Sequence, residues 1–445
     1  MPENGTSGSV RVEPREGLLY STTQNEKIEM LNDEWLIVGI DVGSEKHFAR
    51  MFNNRKIELS KKALGFANNE EGFSQLNGWI SNQLRASGKK YVICAMEPTG
   101  HYWYNLASYV QTHGMIVVHV NPSHVKKAKE FDDNNPNKND RKDPKTIAGL
   151  VTEGRYMFPY MPEGLYADIR ELNNMRIRAT DSLTAVKNRL ARWFSIYFPE
   201  FTSVFSDIKA KSARLLLAKA PLPQDVIKLG ADGVNQIFRN AKLRAVGMKK
   251  AIQIVQAAEH SIGRKESPWA AREEISELLE DFDRYIEREE KLMSRIHEEV
   301  MKVPNIELLL EIRGIGIRTV SGFIAEVGDI SRFDDPRSIQ KLSGYAIVSN
   351  DSGKHNGKSS ISYRGQKILR YILFQAAVSV IGKNPEFAKI HEYYITRQNN
   401  PLKKMQSVVA VACKLIRVFY TILTKGVRYD GQKMLNDIVR REATA

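Results

Sequence analysis

The stretch Leu36-Ile37-Val38-Gly39-Ile40-Asp41-Val42-Gly43-Ser44 constrains the rest of the chain most. Its apolar run reads as a short strand buried on both faces, the kind that lies inside a sheet covered by helices. An aspartate then stands where the run closes. An ionised carboxylate beside a dry core is costly unless it is paired or bound to a metal. Val42-Gly43-Ser44 turns the chain at once, which leaves Asp41 at a strand end facing a cleft. Taken alone, such a residue caps a turn.

The pattern recurs. Tyr91 to Met96 is a second buried strand, closed by Glu97 and turned by Pro98-Thr99-Gly100. Between the two, His47 to Phe52 and Lys56 to Leu59 read as short antiparallel strands joined through Asn53-Asn54, and Glu70 to Ala86 carries helical spacing. A helix with Tyr102, Trp103, Leu106 and Tyr109, a strand over Met115 to Val120 and a helix from about Pro122 follow. Three strands, helix, strand, helix, strand, helix is the succession of a ribonuclease-H-like (RuvC-like) α/β fold, in which acids at central strand ends meet in one cleft. Phe131 to Pro144 is an Asn-, Asp- and Lys-rich loop running into a helix with Ile147, Leu150 and Val151. Asp140 and Asp143 are three residues apart and share a face if that helix begins near them. Singly, each would be a capping or first-turn acid. As a pair following Asp41 and Glu97, they favour metal ligation.

Two carboxylates about 4 Å apart repel by about 4 kcal/mol at an effective dielectric near 20. Four gathered together demand cations, and hard oxygen ligands select Mg2+, with Mn2+ as the alternative. Paired ions clamp a phosphodiester between an attacking and a leaving oxygen. Composition agrees: Lys and Arg outnumber Asp and Glu 66 to 52, a net charge of +14 that calls for a polyanionic partner, nucleic acid before an anionic membrane. Cys94 and Cys413 sit in apolar runs without metal-type spacing and read as core thiols in a reducing compartment. The most apolar stretch, Ser407 to Thr424, is interrupted by Lys414 and Arg417, so no membrane span is expected. With no signal-peptide pattern at the N-terminus, the expected location is the cytoplasm.

Four regions are expected. Residues 1–32 lack periodicity and read as a disordered extension. Residues 33–160 form the catalytic domain. Residues 161–303 are helical, for assembly and nucleic-acid contact; Tyr166 to Phe198 is one helix, and Glu274 to Val303 another. The apolar stripe of the latter, from Ile275 to Val300, approaches a heptad seam, which suits a coiled-coil hairpin or dimerisation arm, or equally an internal bundle. Residues 304–445 form a mainly helical C-terminal domain. Its Ile312-Arg313-Gly314-Ile315-Gly316-Ile317-Arg318-Thr319 has the helix-hairpin-helix pattern, whose turn amides and following helix start hold a DNA phosphate without reading sequence. After it comes a polar basic loop with Ser352, Lys354 and Lys358, and then Arg364.

Taken in this order, the G-I-D-V strand at Asp41, the E-P-T-G turn at Glu97, the K-N-D-x-x-D segment at Asp140 and Asp143, the I-x-G-I-G hairpin from Ile312, the run from Ala325 to Phe333, the S-G loop at Ser352 and the L-R helix at Arg370 resemble insertion-sequence-110-type transposases. These are bridge-RNA-guided DNA recombinases with a four-acid (DEDD) domain. The resemblance implies a transposase that cleaves and rejoins strands of an insertion sequence and its target. Asp41, Glu97, Asp140 and Asp143 would hold divalent metal, and Ser352 would attack DNA to form a phosphoserine link. It implies donor and target DNA, a guide RNA and a homo-oligomer, dimer or tetramer, as partners. One departure stands out: many relatives carry a proline before the nucleophile, where this chain has Ala346-Ile347-Val348. Ser349, Ser359 and Ser360 are therefore alternatives to Ser352, which Gly353 favours. Without the family pattern, Ser352 reads as a loop serine in a local turn bond. Two other functions fit the residues: a structure-selective nuclease that activates water with the four acids, and a non-catalytic nucleic-acid scaffold.

Overall fold

The computed structural model describes residues 23–98, 100–132, 142–348 and 360–442. Two compact units emerge. One takes the chain up to Met161 and returns for Ile330–Gly365; the other takes Pro162–Asp329 and the chain from Gln366 onward.

In the first unit, β1 (Trp35–Asp41) is central because every residue but its terminal Asp41 is buried. It pairs antiparallel with β2 (Lys46–Phe52), which pairs with β3 (Leu64–Ala67); on its other side it runs parallel to β4 (Tyr91–Met96), and β4 parallel to β5 (Ile116–Val120). A short antiparallel β6 (Tyr156–Met157) completes the order β3-β2-β1-β4-β5-β6. Alternation along β1 divides the core. Leu36, Val38 and Ile40 pack with Phe73 and Leu76 of α2 (Glu70–Ser87) and Leu106 of α3 (Trp103–Thr112). Trp35 and Ile37 face the other way, onto Val125 of α4 (Pro122–Asp132) and Ile147 and Val151 of α5 (Asp143–Thr152). This mixed sheet between helical layers fits a ribonuclease-H-like transposase domain.

The third strand lies later than the sequence suggested. Lys56 to Leu59 contributes only an isolated Phe52–Glu58 bridge, because Asn53 Oδ1 accepts from the Arg55 and Ile57 amides and closes a turn with Lys56 at φ +63°. Ahead of the sheet, in the stretch where composition shows no periodicity, α1 (Gln24–Met30) forms behind a Thr23–Glu26 capping box, and Lys27 donates to the Tyr156 carbonyl. The returning segment joins this unit through Arg332, whose guanidinium lies 3.4 Å from the centre of the Tyr160 ring. It then supplies the last sheet-unit helix, Pro336–Leu342 (α14 in chain order), and the hairpin β7 (Ile347–Val348) with β8 (Ser360–Ile361).

The second unit is helical. Its long helices α6 (Gly164–Tyr197) and α11 (Pro268–Val300) run antiparallel, with the Trp193 indole donating to the Ala271 carbonyl at 2.9 Å and Arg192 beside Glu274. The apolar stripe of α11 is thus covered within the chain, by Leu183, Val186 and Leu190 of α6 among others. Between them come α7 (Phe201–Val204), α8 (Lys211–Lys219), α9 (Pro223–Asn240, broken at Gly230) and α10 (Met248–Glu259). After α11 follow α12 (Ile306–Leu310), α13 (Ile317–Val327), α15 (Lys367–Lys383), α16 (Pro385–Thr396), α17 (Lys404–Lys425) and α18 (Gly431–Glu442). Despite Lys414 and Arg417, α17 is long and apolar enough by composition to cross a membrane. Here it is a core helix: Val411, Leu415 and Phe419 are fully buried, and Phe419 stands edge-on to Phe323.

Candidate active site

The sheet sets out the acids. Ile40 and Met96 are register partners on parallel neighbours, so Asp41 and Glu97 follow one position later on strands about 4.8 Å apart. By alternation, Asp41 falls on the same face as Trp35, Ile37 and Gly39, the face that carries α5. Gly39 lets that helix come close. A Cβ there would lie 2.0 Å from the Pro144 carbonyl oxygen and 3.0 Å from the Ala148 nitrogen. Only a glycine admits the first turn of α5, and that turn begins with Asp143.

Asp143 is only 8% exposed, and its Oδ2 accepts from Lys129 Nζ of α4 at 2.6 Å. The ammonium offsets a buried negative charge that would otherwise be strongly unfavourable. Three hard-oxygen carboxylates, Asp41, Glu97 and Asp143, therefore lie toward one end of the sheet, and their donor chemistry fits a divalent ion. Among the described residues, no three His, Cys, Asp or Glu side chains are gathered closely enough to hold one. Asp140, Ser352, Lys354 and Lys358 fall outside the described residues.

Two histidines support this end of the sheet, and the sequence reading passed over both. His47 is fully buried; its Nδ1 accepts from the Gly43 amide at 3.2 Å, while Asn68 donates to the Ser44 carbonyl from its side chain and to the Glu45 carbonyl from its backbone. The turn after Asp41 is thereby tied down at three successive residues. Burial lowers the His47 pKa, which favours the neutral imidazole and leaves Nδ1 free to accept. His119, the register partner of Met96, is buried edge-on to Trp103, and burial lowers its pKa to about 4. The signal for His47 was its place in the inward register of β2 with Ala49 and Met51.

The hairpin residues lie in the other unit. Gly314 has φ +100°, and its carbonyl accepts from Ser379 Oγ of α15 at 2.7 Å. Gly316 precedes α13 in extended geometry with open space around it, and the Thr319 amide donates to its carbonyl. Arg313 is exposed, but Arg318 Nη2 is paired with Glu289 Oε1 of α11 at 2.9 Å. Arg364 is exposed in the first unit, its amide donating to Ser362 Oγ.

Comparison with known proteins agrees at both ends of the chain. The DEDD IS110 transposase model matches residues 38–199, and the transposase IS116/IS110/IS902 family model matches residues 306–392. An insertion element IS116 protein of Streptomyces clavuligerus is 23% identical over 392 residues, 87% of this chain and 94% of that one. The pilin gene-inverting protein of Moraxella bovis is 32% identical over 126 residues, 28% of this chain. The match spans only 38% of that relative's length. With one family model on the acid-bearing sheet, a second on the hairpin and a relative aligned along most of its length, the chain belongs to the IS110/IS116 family of transposases.

Proposed function

We infer that the chain is a DNA transposase that cleaves and rejoins strands of an insertion sequence and its target, with sequence choice delegated to pairing with a guide RNA. The observation that carries this is the arrival of Asp41, Glu97 and Asp143, from two parallel strands and one helix, at one end of the sheet. Asp140 completes the carboxylate set that would hold magnesium or manganese, which when bound neutralises charge on a phosphodiester. The chain's own residues do the rest. Lys129 balances Asp143, His47 and Asn68 fix the turn beyond Asp41, and the stems β7 and β8 that flank Ser352 belong to the same compact unit as the acids.

In this reading a bond forms between Ser352 Oγ and the DNA phosphorus while the bond to one bridging oxygen breaks. The serine proton passes to a base and the departing oxygen takes one up. The reverse exchange on a different strand rejoins the DNA. Arg313, the Gly314–Gly316 turn, Arg318 and the Thr319 side chain, together with Lys354, Lys358 and Arg364, hold backbone phosphates, and the active species is a dimer or tetramer.

An adduct trap tests this. Protein co-expressed with RNA from its flanking DNA is mixed with labelled junction DNA and Mg2+, then denatured. The label stays on the wild-type protein and is absent from Ser352→Ala. Cleaved DNA without an adduct would instead identify a nuclease that activates water.

A further inference from the structure

Away from the carboxylate end, the outer surface of the same unit holds a groove of about 330 Å³ between α4, α5 and the turn after β2. Its floor is Ala128, Thr146, Gly149 and Leu150, largely apolar; its rim carries Lys56, Lys127 and Arg155, with His124 beside them. All three rim cations are exposed; Glu153, which pairs with Arg155 at 3.2 Å, is the one acid among the described residues that lines the groove. An apolar floor under a cationic rim matches a nucleic-acid strand, whose sugars are partly apolar and whose phosphates are not.

Lys56 gives the groove its built character. It holds a left-handed backbone, φ +63°, that a non-glycine residue adopts only at a cost, in a turn already closed by Asn53. Its side chain lies across α5 where Gly149 leaves room: a Cβ on Gly149 would sit 2.6 Å from Lys56 Cε and 2.8 Å from Nζ. The turn thus brings an ammonium over the groove floor. Gly149 is six residues beyond Asp143, about 9 Å along the helix axis at 1.5 Å per residue.

We propose that this groove is a phosphate-backbone site in which Lys56, seated on Gly149, and Lys127 and Arg155 hold successive phosphodiesters of a nucleic-acid strand. Contacts to the phosphate backbone carry no sequence information, so the site positions a strand without reading it. It relies on the proposed function only for the class of ligand, and its position on α5 makes it separate from the carboxylate end.

The test is salt-dependent binding by the full chain to a labelled single-stranded 20-mer, as DNA and as RNA of the same sequence. Each phosphate contact contributes about 0.7 to the slope of log K against log salt for single strands. Lys56→Met with Lys127→Met is expected to weaken binding about tenfold near 0.15 M salt and to lower the slope by about 1.4. Lys89→Met with Lys90→Met, an equal charge loss outside the groove, leaves the slope unchanged. Gly149→Ala keeps every charge and favours the helix, yet displaces Lys56, and is expected to weaken binding severalfold. The strand on which these losses appear, DNA or RNA, is the one the groove holds. Wild-type affinity and slope in both groove variants would overturn the groove while leaving the transposase reading intact. No binding of either strand by wild-type protein would likewise overturn the groove, while the adduct trap tests the transposase reading separately.

Discussion

Glycine next to an apolar run means two different things in the two units. In the sheet unit, Gly39 lets α5 approach β1 until the Pro144 carbonyl fills the space of a missing side chain, and this places Asp143 on the face of Asp41. In the helical unit, Gly314 lets a turn approach α15, but the result is a hairpin anchored by Ser379 and an Arg318 already engaged by Glu289. One close approach delivers a carboxylate to the end of the sheet where Asp41 lies. The other secures packing and commits a cation that the sequence assigned to DNA. Local motifs therefore say where a chain turns, and neighbours decide what the turn is for.

The largest way to break this contrast is Gly39→Ala. With backbone atoms at 2.0 and 3.0 Å, α5 must shift, and a loss of about 3 kcal/mol by thermal or denaturant unfolding is expected. Retention of wild-type stability would mean that the close approach does not position Asp143. Acid sharpens the contrast further, because the two units carry buried groups of opposite sign. His119 titrates near 6.5 when unfolded and about 4 when folded, so its contribution is fully present above pH 6.5 and lost as pH falls toward 4. The loss amounts to about 3 kcal/mol and should disappear in His119→Phe. Burial raises the pKa of Glu326 in the helical unit, with Arg170 opposing, so its charged form weakens the fold at neutral pH and that penalty is relieved as pH falls through its raised pKa. Calorimetry of the full chain against pH, with His119→Phe and Glu326→Gln, should show the two differences changing in opposite directions. A smaller step is Gly314→Ala, where positive φ and a 3.1 Å contact predict a loss of about 1–2 kcal/mol, against little change for Gly316→Ala in open space. Smallest is Arg318→Gln: the exposed arm of this ion pair limits the loss to under about 1 kcal/mol in the same unfolding assay.

Much of the sheet was legible because its central strands are short apolar runs buried on both faces, and an acid closing such a run is visible in one dimension. The register of Asp41 with Glu97 followed from two parallel strands of similar length. Less legible was what depends on partners distant in sequence. Lys56 to Leu59 alternates like a strand, but Asn53 closes a turn there and the pairing passes to Leu64–Ala67. The stripe on α11 has the period of a coiled coil, and periodicity cannot say that α6 of the same chain covers it. Lys129 beside Asp143 and His47 beside Gly43 are pairs made by folding, with no motif of their own.

The most direct measurement is metal-dependent DNA strand cleavage by Asp41→Asn compared with wild type, with salt-dependent DNA binding measured in parallel. Cleavage is expected to fall roughly a hundredfold or more at every Mg2+ or Mn2+ concentration while DNA affinity and melting temperature hold. Cleavage at the wild-type rate by Asp41→Asn would contradict a carboxylate metal site at this end of the sheet.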